Sequence, residues 1–309
     1  MQVASAKIRK LFKTAFSLIL LATCTLSPTA GAQDETRYRP QGREVGTAVG
    51  REFQEQVYEV RIYDAQPAVA EFSKATIFYP LTLSFNPPYG AVVLVPGYRG
   101  TQENYDWWGP ALASVGLAVM IIDTNTPEDA FEARKQAHIA AVEFLHAENA
   151  KADSPIKGRI DTNKIAIMGH SLGGGAALAA AAELGDRIKA VIPLLPYCCE
   201  LGTSFTGNYG NLTVPTLIFA SAEDTIAAPA EHARALYDSI AAGTPRIYAE
   251  FAKGDHMIAS NSGEDLLAMG RFTLAFLKLN LDGKANFTET LTTPGANWAD
   301  TFSRYEFKP

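Results

Sequence analysis

Five short apolar runs recur along the chain: "GAVVLVPG" (90–97), "LAVMIID" (117–123), "KIAIMG" (164–169), "KAVIPLLP" (189–196) and "PTLIFASA" (215–222). Each lacks the polar alternation that marks a strand with one wet face, so each reads as a strand covered on both sides. Between them lie stretches such as "EDAFEARKQAHIAAVEFLHAENA" and "PAEHARALYDSI", where apolar positions recur at three- and four-residue spacing, as on a helix with one buried face. This alternation predicts an α/β fold with a single, mostly parallel central sheet and helices on both faces. "FQEQVYEVRIYD" (53–64) and "KATIFYP" (74–80) are expected to add antiparallel strands at an amino-terminal edge. Residues 33 to about 50 read as a polar, Gly-rich lead-in, and the segment after Gly283 as a tail packed on the body. Ligands of such sheets bind beyond the carboxyl ends of the strands.

The first thirty-two residues stand outside this pattern. Lys7, Arg9, Lys10 and Lys13 form a basic start, Ala15 to Ala22 an apolar run, and Ala30-Gly31-Ala32 a small-residue cleavage site before Gln33. They read as a secretory signal peptide, which leaves residues 33–309 as one domain and makes the protein extracellular or periplasmic. An alternative takes Leu21-Ala22-Thr23-Cys24 as a lipoprotein signal, with lipid on Cys24. The apolar run is too short to span a bilayer, and no transmembrane segment is expected elsewhere.

Losing this segment removes four basic and no acidic residues, leaving 23 basic against 33 acidic. A chain so acidic, without a basic cluster, is not expected to bind nucleic acid or anionic membranes, and a monomer acting on a neutral substrate fits better. Only Cys198 and Cys199 remain beyond the signal. Adjacent cysteines cannot form a disulfide framework, so they are either a strained vicinal disulfide or two small thiols. Zinc-type spacing of cysteine and histidine does not occur, and neither metal nor cofactor is expected.

The run 164–169 leads into Gly169-His170-Ser171-Leu172-Gly173, a G-x-S-x-G pattern with an apolar strand before it and a small-residue helix after it. Glycines two positions to either side leave room for a serine held in strained geometry at the turn. The alternative reading is a Gly-rich helix-packing turn. A serine hydroxyl needs a base to take its proton and a carboxylate to orient that base, in the chain order Ser, acid, His for this fold. His256 in "KGDHM" follows the strand "RIYAEFA" and is the expected base. His138 and His146 lie on a periodic helix, with a surface or core-edge role expected. His170 adjoins the serine and is expected to point elsewhere, and His232 is expected within a helix. Asp224, in "FASAEDTIA", is the expected acid, since neighbouring Glu223 should project differently and Asp255 is too near His256 in sequence. The oxyanion donors are expected to be the backbone N–H of Leu172 and, from "VPGYRGTQ", that of Tyr98. Trp107 and Trp108 are expected in the core rather than as a binding platform.

Taken together, "PGYRGTQ", "IDTNT", "GHSLGGG", "VPTLIFASAEDTIA" and "DHMIAS" resemble bacterial cutinases and related polyester hydrolases of the α/β-hydrolase superfamily, over roughly residues 75 to 282. The resemblance implies an ester hydrolase acting on polyesters and short-chain esters, with Ser171, Asp224 and His256 as triad and Tyr98 and Leu172 as oxyanion donors. It further implies a shallow cleft walled by Tyr98, Leu172, Tyr197, which replaces the family's usual tryptophan, and Ile226. The chain departs from the family in a longer "YCCELGTSFTGNYGNLTVP", in Met257 after His256, and in lacking the family's carboxyl-terminal disulfide. A small-ester carboxylesterase or lipase, or an inactive binding protein on the same fold, are the alternatives.

Overall fold

The computed structural model describes residues 40–82 and 88–309. The signal-peptide and Cys24 readings, and the start at Gln33, lie outside the described residues. Nine strands form one sheet in the order β1-β2-β4-β3-β5-β6-β7-β8-β9. They are β1 (Val60–Ala65), β2 (Phe72–Pro80), β3 (Tyr89–Val95), β4 (Ala118–Thr124), β5 (Ile160–His170), β6 (Ala190–Leu194), β7 (Thr216–Ser221), β8 (Arg246–Phe251) and β9 (Phe302–Lys308). The six from β3 to β8 run parallel, and β1 and β2 add the expected antiparallel edge. This is the α/β-hydrolase architecture.

Side chains of successive strand residues go to opposite faces, which is why the middles of the central runs are apolar, with polar residues such as Asp123, Thr216 and Ser221 at or near their ends. In β3, Val92 and Leu94 enter one core while Ala91, Val93 and Val95 enter the other. The first core is covered by α1 (Pro40–Glu52), α2 (Trp108–Ala113), α6 (Leu266–Asp282) and the short α7 (Thr288–Thr292). The second is covered by α3 (Phe131–Ala150), α4 (Leu172–Leu184) and α5 (Ala233–Ser239). Trp107 and Trp108 are fully buried in the first core, with both indole N–H groups donating to the carbonyl of Ala259.

Two expectations are corrected. The lead-in before residue 50 contains α1, whose glycines at positions 42, 46 and 50 lie on its buried face with Val45 and Val49. That stripe lets α1 lie directly on the backbone of Trp107 and Ala111, so packing overrides the poor helix propensity of glycine. The tail after Gly283 ends in β9, which pairs antiparallel with β8 and gives the sheet a second antiparallel edge.

Candidate active site

Ser171 stands between β5 and α4 with φ 54° and ψ −122°, a conformation rarely open to a side chain. The turn is held from both sides: Ser171 N–H donates to Leu194 O at 2.9 Å, and Ser171 O accepts from Tyr197 N–H at 2.8 Å. Close approach explains the glycine of the facing turn, since a Cβ on Gly97 would lie 2.8 Å from Ser171 Cβ.

Three side chains expected to act together meet here. His256 Nε2 lies 2.8 Å from Ser171 Oγ, and His256 Nδ1 lies 2.7 Å from Asp224 Oδ2. Asp224 follows β7, and its Oδ1 accepts from the N–H groups of Ile226 at 2.9 Å and Ala227 at 2.8 Å. Burial pushes the Asp224 carboxyl up, but the His256 hydrogen bond and charge and these two amides outweigh it, leaving the group below its ordinary range. An ionised Asp224 can only accept, so Nδ1 carries the ring proton and Nε2 is free to accept from the serine hydroxyl. The base loop is tied to the acid loop by Glu223, which is exposed and accepts from Gly254 N–H at 2.9 Å.

The turn after β3, where an oxyanion donor was expected, runs from Gly97 to Gly100, closed by Gly100 N–H donating to Gly97 O at 3.0 Å, with Arg99 at φ 60°. Tyr98 sits at its tip, 38% exposed. Leu172 contributes the first amide of α4, one of those a helix leaves without an intrahelical acceptor. Leu172 is fully buried, so it presents no exposed surface as the expected cleft wall. Ile226 is 61% exposed. Tyr197 is half-buried and lies on the His232 ring, centroids 4.1 Å apart. His232 precedes α5 rather than lying within a helix, and its Nδ1 accepts from Cys198 N–H at 3.3 Å. Cys198 and Cys199 are free thiols, and burial raises the Cys198 thiol to about 12.

Three buried residues beside the site were not identified as such from sequence. His138 is fully buried, not at a surface, and its Nε2 contacts Gly173 O at 3.0 Å. His170 does not simply point away: it joins Tyr105 Oη to the carbonyl of His256, each at 2.7 Å. Arg134, also fully buried, donates to Pro96 O at 2.8 Å, Pro127 O at 2.6 Å and Asp129 O at 3.0 Å, bracing the turn after β3 from outside. Apart from Pro127 and Asp129, their partners lie 35 or more residues away in sequence, which leaves no local pattern. Among the described residues, no cluster of three or more His, Cys, Asp or Glu could hold a metal ion, and no helix is long and apolar enough to cross a membrane.

A family model described as PET hydrolase-like matches residues 51–308. Cutinase est1 of Thermobifida alba is 35% identical over 220 residues, covering 71% of this chain and 69% of that protein. Cutinase 2 of Thermobifida cellulosilytica is 36% identical over 220 residues, 71% of this chain and 78% of the relative. A bis(hydroxyethyl) terephthalate hydrolase of Streptomyces coelicolor is 33% identical over 224 residues, 72% of this chain and 67% of the relative.

Proposed function

The chain belongs to the PET hydrolase-like family, and from that premise we propose that it is a secreted serine ester hydrolase cleaving polyesters, cutin-like or terephthalate-like, together with short-chain esters. The names of its relatives support this substrate class. The observation that carries the reading is the hydrogen-bonded succession Ser171, His256, Asp224 beside the exposed side chains of Tyr98 and Ile226.

In this reading Ser171 Oγ attacks the ester carbonyl carbon as its proton passes to His256 Nε2. Asp224 accepts from Nδ1–H and stabilises the imidazolium, while the N–H groups of Tyr98 and Leu172 donate to the oxyanion of the tetrahedral intermediate. Collapse breaks the ester C–O bond, and the leaving alcohol takes the proton from Nε2. Water, deprotonated by the same nitrogen, then attacks the acyl-enzyme, and collapse breaks the acyl–Oγ bond as Nε2 returns that proton to Ser171 Oγ, releasing the carboxylic acid. Secretion rests on the reading of residues 1–32 as a signal peptide.

Ser171→Ala is expected to fold like the parent and to lose on the order of 10⁴-fold or more in ester turnover. Circular dichroism beside p-nitrophenyl butyrate hydrolysis checks this, and a folded variant near the parent rate would sink the serine mechanism. Release of soluble products from a polyester film tests the substrate class. Parent enzyme that turns over p-nitrophenyl butyrate yet releases nothing from films would make it a small-ester carboxylesterase.

A further inference from the structure

Tyr105 lies just ahead of α2 and His170 just ahead of the nucleophile, and both are only 1% exposed. His170 Nε2 sits 2.7 Å from His256 O. A carbonyl oxygen only accepts, so Nε2 carries a proton, and in the neutral ring Nδ1 then accepts from the Tyr105 hydroxyl at 2.7 Å. The oxyanion turn closes over this pair. A Cβ on Gly97 would lie 3.2 Å from His170 Nδ1, and one on Gly100 would lie 3.3 Å from Tyr105 Oη. One continuous contact therefore runs from the oxyanion turn through Tyr105 and His170 to the backbone of His256, passing directly beside Ser171.

We propose that Tyr105 and His170 are positioning residues, forming a neutral hydrogen-bonded relay that holds the backbone of the base and the oxyanion turn in register around Ser171. The proposal rests on the reading of Ser171 and His256 as nucleophile and base. Two features distinguish the relay from ordinary core packing. His256 is carried on a loop after β8, not on a regular element, so its ring position depends on what holds that loop. The only bond to its own carbonyl described here is that from His170. Neutrality also matters, because the rings of His170 and His256 lie 4.7 Å apart. A second cation there would oppose the imidazolium that forms on His256 during acyl transfer. Burial, then the neighbouring His256, push His170 down to about 3, so it remains neutral throughout the range in which the base works.

Tyr105→Phe, His170→Phe and His170→Gln separate these roles. Each variant and the parent are compared in thermal midpoint, in kcat and KM for p-nitrophenyl butyrate, and in the rate of covalent labelling by a p-nitrophenyl phosphonate. Tyr105→Phe keeps the ring and loses the hydroxyl: kcat and the labelling rate are expected to fall by about 10- to 100-fold with KM little changed, as for a base displaced from its working position. His170→Phe is expected to lose at least as much. His170→Gln restores an N–H donor toward the carbonyl of His256 and is expected to recover most of that loss, which restored packing alone would not explain. Parent-like kcat in Tyr105→Phe overturns the relay, as does Gln performing no better than Phe at position 170. If His170→Phe does not fold, the tyrosine variant decides alone. Parent enzyme that escapes labelling overturns the serine reading and the relay with it, whereas labelled parent with variants labelled equally fast overturns the relay only.

Discussion

His138 lies wholly inside the molecule against the first turn of α4, its Nε2 bonded to Gly173 O and its Nδ1 without a partner. Burial, and secondarily the nearby charge of Arg134, hold it down at about 4, as burial holds His170 at about 3. In the unfolded chain both histidines have pKa values of about 6.5. Below that pH the unfolded state binds protons that the native state refuses, so stability falls with pH, from about 6.5 down through about 4 for His138 and about 3 for His170. At pH 5 each contributes a loss on the order of 1–2 kcal/mol. The urea midpoint is therefore expected to drop clearly between pH 7.5 and 5, and to drop less in a folded His138→Gln variant. A parent midpoint that holds steady over this interval would defeat the argument. Nothing in "EARKQAHIAAV" announces this burial, because an amphipathic stripe does not say how deep its polar members sit. Ser171, Asp224 and His256 were legible for the opposite reason: each ends or follows a strand whose own pattern was clear, and chain order assigned the roles.

At the scale of elements, the central strands were readable because burial on both faces keeps their middles apolar. The elements that escaped, α1 and β9, are those whose structure comes from a partner. β9 is an edge strand with Phe302 alone buried, so its apolar alternation is diluted. α1 is stabilised by close backbone approach to α2, and its glycines allow that approach. A Cβ at Gly46 would collide with Ser114 Oγ and the backbone carbonyl of Ala111, whereas one at Gly50 would meet the methyl groups of Val115 and Val57, each at 3.0 Å, with the nearest backbone atom, Glu55 O, at 3.9 Å. Replacing glycine by alanine in a helix gains up to about 1 kcal/mol from propensity alone. At Gly50 that gain is set against a squeeze on two valine methyl groups, with no backbone in collision, so Gly50→Ala is expected to change the thermal midpoint little. At Gly46 the helices must part, costing about 1–3 kcal/mol, and Gly46→Ala is expected to lower the midpoint. Because α1 lies away from Ser171, the folded variant should keep the parent kcat on p-nitrophenyl butyrate. Equal midpoints for the two variants would mean that α1 is not tightly seated.

Across the whole molecule, the parallel strands deliver the Gly97–Gly100 turn after β3, Ser171 after β5, Asp224 after β7 and His256 after β8 to one end of the sheet. The segment 197–215, longer than its counterpart in the family the sequence resembles, begins at Tyr197 beside the site. Its apolar residues Phe205 and Tyr209 stack at 5.9 Å and pack against the core under α3 and α5. Glu200 accepts from Phe131 N–H at 3.1 Å, which ties the segment to the start of α3. The added chain is thus anchored sideways, and Tyr98 and Ile226 keep the exposure that a polymer segment lying across the site requires. A short ester needs little more than the oxyanion donors and Ser171, while a chain segment must also rest on the rim, where Tyr197 stands against His232. Binding energy from such remote contacts is realised in turnover of the larger substrate alone. Tyr197→Ala is therefore expected to reduce product release from an aromatic or aliphatic polyester film several-fold more than it reduces p-nitrophenyl butyrate hydrolysis. Tyr197 also donates its backbone N–H to Ser171 O at 2.8 Å, a bond that alanine retains, so the nucleophile turn should survive the change. Equal losses on film and soluble ester would show that the ring supports the triad instead of the substrate, and would remove Tyr197 from the polymer-binding surface.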